Sequence, residues 1–127
     1  MASVIGFITY ADIDETASDA RQISISARLE AELADGRRLI LLDHRGWSAS
    51  GSDIRTHISV EDVVETARVV VGPDEPFEGK THEQMALDHW DSLARTLKLQ
   101  GITLNPQELE QLPNNVVLSE RLHEWTA

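Results

Sequence analysis

Between Ile23 and Leu33 the chain alternates without a break. Ile23, Ile25, Ala27, Leu29, Ala31 and Leu33 are apolar, and Ser24, Ser26, Arg28, Glu30 and Glu32 lie between them. A period of two residues buries one face of an extended strand and wets the other. Asp35-Gly36 follows, a pair that turns tightly because glycine takes positive φ without steric penalty. Leu39-Ile40-Leu41-Leu42 then runs apolar. The pattern predicts a β-hairpin at the centre of a sheet. A competing reading takes Ala27–Ala34 as a helix, since these residues are strong helix formers and Gly36 would suit the C′ position. A helical stripe would join Ile23, Ala27 and Ala31 but leave Ile25, Leu29 and Leu33 on other faces, so the alternation favours the strand. Two registers are open. A three-residue loop, Ala34-Asp35-Gly36, pairs Leu33 with Arg37 and Ala31 with Leu39; a two-residue turn pairs Ala34 with Arg37 instead.

Val4 to Tyr10 is apolar or β-forming throughout and reads as a strand buried on both faces, with Gly6 where another group comes close. Asp12, Asp14, Glu15 and Asp19 then form a solvated acidic connection. Trp47 to Asp53 is a loop of small residues, and Ile54 to Ile58 reads as a short fourth strand. Ser59 has the place of a helix N-cap with acids in the following turn, and Val60, Val63, Val64 and Ala67 keep helical spacing until Gly72-Pro73. Thr81 and Gln84 form a capping box. The helix they open carries Ala86, Trp90, Leu93 and Leu97 as its apolar stripe, flanked by Met85, His89 and Ala94, and ends at Gly101. Asn105-Pro106 starts a short helix. Val116 to Trp125 reads as a last helix with Leu118, Leu122 and Trp125 inward.

The fold class this implies is α+β, in one domain over residues 1–127. An antiparallel meander of three to four strands has one face covered by two main helices, at about 60–70 and 82–100, and by short C-terminal helices. A chain of 127 residues with 41% hydrophobic and 26% charged residues is long enough for a real core. No cysteine is present, which excludes disulfides and thiolate metal sites. No apolar run approaches the ~20 residues of a membrane span, and no secretory signal pattern opens the chain. A cytoplasmic location is expected. The net charge of −11 repels nucleic acid and anionic membrane and suits a basic protein partner.

Candidate chemistry is sparse. His82 and His89 lie seven residues apart on one helix, two turns or ~10 Å of rise, too far for one ion. His82-Glu83 opens like a zincin motif, but Ala86 stands where the second histidine belongs. His89, beside Trp90, is expected as a core histidine bonded to backbone or carboxylate. Asp43-His44-Arg45 ends a strand, and alternation puts His44 on the face opposite its neighbours, where it could line a pocket with His57. Ser48, Ser50 and Ser52 lack a nucleophile elbow, so no catalytic residue is assigned. No metal and no cofactor is expected. Gly72-Pro-Asp-Glu-Pro76 is a rigid loop hostile to phosphate but suited to presenting Asp74, Glu75 and Glu78 to Arg or Lys on a partner. Trp47 is the tryptophan expected to be partly exposed, as an interface anchor would be.

Gly46-Trp47-Ser48, Gly72-Pro-Asp-Glu-Pro76 with His89-Trp90, and the Leu-Pro-x-x-Val-x-Leu-Ser-Glu-Arg-Leu run from Leu112 to Leu122 resemble, together, segments of a group of short uncharacterised bacterial proteins. The resemblance implies a common fold and carries no activity. Size and acidity are also similar to those of toxin-neutralising immunity proteins. The leading expectation is therefore a non-enzymatic protein-binding module that neutralises a basic partner, with Asp74, Glu75, Glu78 and Trp47 in contact. The alternative is a small enzyme or ligand-binding domain using His44 and His57. A homodimer through an apolar edge is a third.

Overall fold

The computed structural model describes residues 3–19, 21–52, 54 and 58–126. Its strands are β1 (Val4–Ile13), β2 (Gln22–Leu33), β3 (Arg38–Ser50) and β4 (Asn114–Leu118). Its helices are α1 (Val60–Val70), α2 (His82–Leu99), α3 (Pro106–Glu110) and α4 (Glu120–Trp125), and a single 3-10 turn at Glu15–Ala17 joins β1 to β2. The strands form one mixed sheet in the order β3-β2-β1-β4. β1, β2 and β3 make the antiparallel meander, and β4 lies parallel to β1.

The alternation of β2 decides the inner face. Ile23, Ile25, Ala27, Leu29, Ala31 and Leu33 are each at most 2% exposed, and residues opposite them on β1, such as Phe7, Ala11 and Ile13, are buried with them. Removing that apolar surface from water is the main stabilising term of the sheet. One half of this face packs with Leu93, Ala94 and Leu97 of α2 and Leu109 of α3; the other packs with Val63 and Ala67 of α1 and Leu122 of α4. The hairpin takes the three-residue loop: Ala31 faces Leu39, Leu33 N–H donates to the Arg37 carbonyl at 2.8 Å, and Gly36 has φ +92°.

β1 is buried on both faces around Phe7 to Thr9, and the close approach at Gly6 comes from Pro113. A Cβ at Gly6 would lie 3.1 Å from the Pro113 carbonyl oxygen, which accepts a hydrogen bond from Phe7 N–H at 2.7 Å. The strand runs on to Ile13, so Asp12 belongs to the sheet and not to the acidic connection.

The C-terminal segment departs most from its sequence reading. Asn114–Leu118 is a strand, and the helix begins only at Glu120 after the Ser119 cap. A buried central strand cannot leave backbone groups unpaired, and β2 serves only one edge of β1. The β-branched pair Val116-Val117 supplies the other edge. The expected fourth strand at Ile54–Ile58 falls mostly outside the described residues; Ile54 is helical and Ile58 lies outside any strand.

The segment Trp47 to Ser50, expected in a loop, is the end of β3. Gly46 permits this, since a Cβ there would come 2.6 Å from the Ile25 carbonyl oxygen of β2.

The helix caps follow the sequence closely. Ser59 with Asp62, and Thr81 with Gln84, form reciprocal capping boxes. Gly101, at φ +88°, closes α2, with Gly101 N–H donating to the Lys98 carbonyl and Ile102 N–H to that of Leu97. The buried stripe of α2 is centred on Met85, His89, Leu93, Ala94 and Leu97. Ala86 and Trp90 are only half-buried, because the sheet lies to one side of the expected stripe and α3 to the other.

Candidate functional site

Two bulges in β3 determine where its polar residues point. Ala27 faces Arg45, Leu29 faces Leu42 and Glu30 faces Ile40, so β3 gains one extra residue at each step. Asp43 and His44 are pushed out together, both 72% exposed, with His44 Nδ1 3.9 Å from the Asp43 carboxylate. Strict alternation, which would separate them, fails here. Arg45 instead turns toward the helices with only 20% of its side chain exposed.

There Arg45 meets the loop after α1. Its Nη1 donates to Asp74 Oδ1 at 2.7 Å and to the Val70 carbonyl at 3.3 Å. Asp74 is thus engaged within the molecule, while Glu75 and Glu78 are exposed. The loop reverses at Glu78-Gly79, which take φ +52° and +79°, and Lys80 N–H donates back to the Phe77 carbonyl at 3.0 Å. Glycine is needed at the second of these positions, and Glu78 bears strain at the first. Lys80 pairs with Asp88 at 3.1 Å and lies 5.5 Å from the centre of the Phe77 ring.

Arg45, Asp74, Lys80, Asp88 and His89 line one pocket of about 260 Å³, floored by Leu42, Met85 and Leu93. His89 is 9% exposed, stands edge-on to Trp90 at 4.9 Å, and its Nε2 has no hydrogen-bond partner. Burial lowers its pKa below the usual 6.5, the nearby Arg45 charge adds to the effect, and Asp74 partly opposes it. The expected backbone or carboxylate bond at this histidine is therefore not made through Nε2. His57, the expected partner of His44, lies outside the described residues. Only tertiary structure could draw attention to Arg45 and His89 as a pair, 44 positions apart (89 less 45).

A second concavity of about 250 Å³ lies between α2 and α3. Ala86, Leu87, Trp90 and Pro106 give its apolar walls, and Glu83, Gln107 and Glu110 its rim. Trp90 and Glu110 also line an adjoining cavity of about 260 Å³ walled by Phe7, Leu29, Val71 and Leu112, with Arg68 as its basic member. Trp47 is half-buried and packs against both halves of the core. It lines a smaller hollow with Ile25, Ile58 and Thr66, but Trp90 and Trp125 are half-buried too, so exposure does not single it out.

Among the described residues no three His, Asp or Glu side chains converge to hold a metal ion. Among the described residues no helix is long and apolar enough to cross a membrane. Comparison with protein-family models, with curated proteins and with solved structures returns no match for this chain.

Proposed function

We propose that this chain is a non-enzymatic protein-binding module whose acidic surface meets a basic protein partner, in the manner of immunity proteins that neutralise a toxin. The observation that supports it is the internal use of positive charge. Among the described residues Arg28, Arg37, Arg38, Arg45, Lys80, Arg95 and Arg121 are each paired with a carboxylate. Surplus carboxylates, including Glu75, Glu78 and Glu83, are left facing solvent. Such a surface steers a basic partner and makes association salt-sensitive. Asp74, held by Arg45, shapes the loop, and the direct contacts fall to Glu75 and Glu78, with the accessible edge of Trp47 as an outlying anchor.

The test is affinity capture from native lysate at low and high salt, followed by binding of the purified captured protein to the Glu75→Lys/Glu78→Lys variant. A basic protein retained at low salt, released at high salt and weakened at least tenfold by the variant is expected. Capture with no salt dependence, or unchanged affinity of the variant, would refute the placement of the contact.

A small-ligand reading has one observation in its favour, the unpartnered Nε2 of His89 beside the Arg45–Asp74 pair. It moves the alternative site from His44 and His57 to His89. A thermal-shift screen of small polar compounds against the natural chain and a His89→Phe variant checks it; a compound that stabilises both equally is not bound there.

A further inference from the structure

We infer that the furrow between α2 and α3 receives an arginine or lysine side chain from a basic segment of the protein partner, its cation held between Glu83 and Glu110 beside Trp90. The inference rests on the binding-module reading and gives it a second, more specific contact.

Three features of the furrow point to this occupant. Glu83 comes from the first turn of α2 and Glu110 from the last residue of α3, so two elements bring carboxylates to one cavity. Both residues are exposed, and no basic side chain lines the cavity with them. The walls between them are apolar: Ala86, Leu87, Pro106 and the half-buried Trp90. A compact hydrated metal ion gains nothing from such walls. A cation on a methylene stem does, because the stem covers apolar surface while the head meets carboxylates and an indole.

The rest of the molecule narrows the source of that cation. A second copy of this chain is a poor donor, since it also carries a net charge of −11 and commits most of its described basic groups to internal pairs. Nucleic acid and anionic lipid are repelled. A basic protein segment remains. The adjoining cavity shares Trp90 and Glu110 with the furrow and is walled by Phe7, Leu29, Val71 and Leu112; Arg68 also lines it, its Nη2 donating to the Asn114 carbonyl at 3.4 Å, so a second cation is disfavoured there. It accepts an aliphatic side chain next to the cation. Leu87, 54% exposed at the furrow's edge, adds apolar surface for the same segment.

The probe is a capped tetrapeptide alternating leucine and arginine, titrated into the isotope-labelled full chain and followed by heteronuclear NMR. Its control carries citrulline, the uncharged isostere, in place of arginine. Saturable shifts at the Trp90 indole N–H and at the amides of residues 83–90 and 106–110 are expected. The citrulline peptide, and the Glu83→Gln/Glu110→Gln variant, should each bind at least tenfold more weakly. Both substituted positions are exposed, and the variant's own spectrum reports that it is folded. Shifts spread over the whole acidic surface, equal binding of the citrulline peptide, or an unaffected double variant would each overturn the furrow site. If the furrow fails while a captured basic protein still depends on Glu75 and Glu78, the broader reading stands without it.

Discussion

Asp12 offers the sharpest quantitative prediction. Its Oδ1 accepts from Ser119 Oγ at 2.6 Å, from Arg121 Nε at 2.8 Å and from Ile13 N–H at 2.9 Å, and its Oδ2 accepts from Arg121 Nη2 at 2.6 Å. One carboxylate thus clamps α4 and the end of β4 to β1. The bidentate Arg121 guanidinium, with the Ser119 and Ile13 donors, outweighs desolvation and takes its pKa from 3.8 to about 2. A shift of just under two units is worth at most about 2.5 kcal/mol. With 27% of the side chain still exposed, solvent screening reduces this to about 1–2 kcal/mol. The folded pKa lies below the unfolded one, so the stabilisation is complete above about pH 4 and is lost as pH falls toward 2. Asp12→Asn should therefore cost about 1–2 kcal/mol at pH 7 and about a third of that at pH 2.5. Urea unfolding at both values measures it. An equal loss at the two pH values would refute the electrostatic argument and leave only a packing effect.

His89 behaves oppositely to a histidine that gains a partner. Its folded pKa lies below its unfolded one, so stability should fall as pH drops through about 6.5; His89→Leu should flatten that part of a melting-temperature profile, and an unchanged slope would exclude His89 as the source. Gly46→Ala places a Cβ 2.6 Å from the Ile25 carbonyl oxygen and should cost about 1–3 kcal/mol in thermal or urea unfolding, since backbone and not a flexible side chain must yield. Leu97→Ala, at a fully buried position, should cost about 2–5 kcal/mol in the same assay through transfer and cavity terms.

Much of the architecture is local and was therefore legible along the chain. The period of β2 selects its buried face whatever packs on it, and Asp35-Gly36 marks the turn, while the choice between its two registers is made by the pairing of β2 with β3. The capping boxes at Ser59 and Thr81, the Gly101 stop and the Asn105-Pro106 start each depend on residues within four positions of one another. The α+β class follows from these elements together.

Relations between distant residues were decided elsewhere. Val116-Val117 fits a helix or a strand on local grounds; it becomes a strand because β1, more than a hundred residues earlier, has an unpaired backbone edge (Thr9 Oγ1 donates to Asn114 Oδ1 across 105 positions). The two bulges of β3 expel His44 and turn Arg45 inward, and no period-two pattern encodes a bulge. Asp74, legible as a carboxylate of a rigid loop, is revealed as the partner of Arg45 only when α1 and β3 pack. Glu83 and Glu110 face one furrow only because α3 folds back on α2. Sequence determines periodicity, caps and turns because their energetics involve neighbours along the chain; tertiary structure decides edge pairing, ion pairs and cavities because these depend on which separate segments meet.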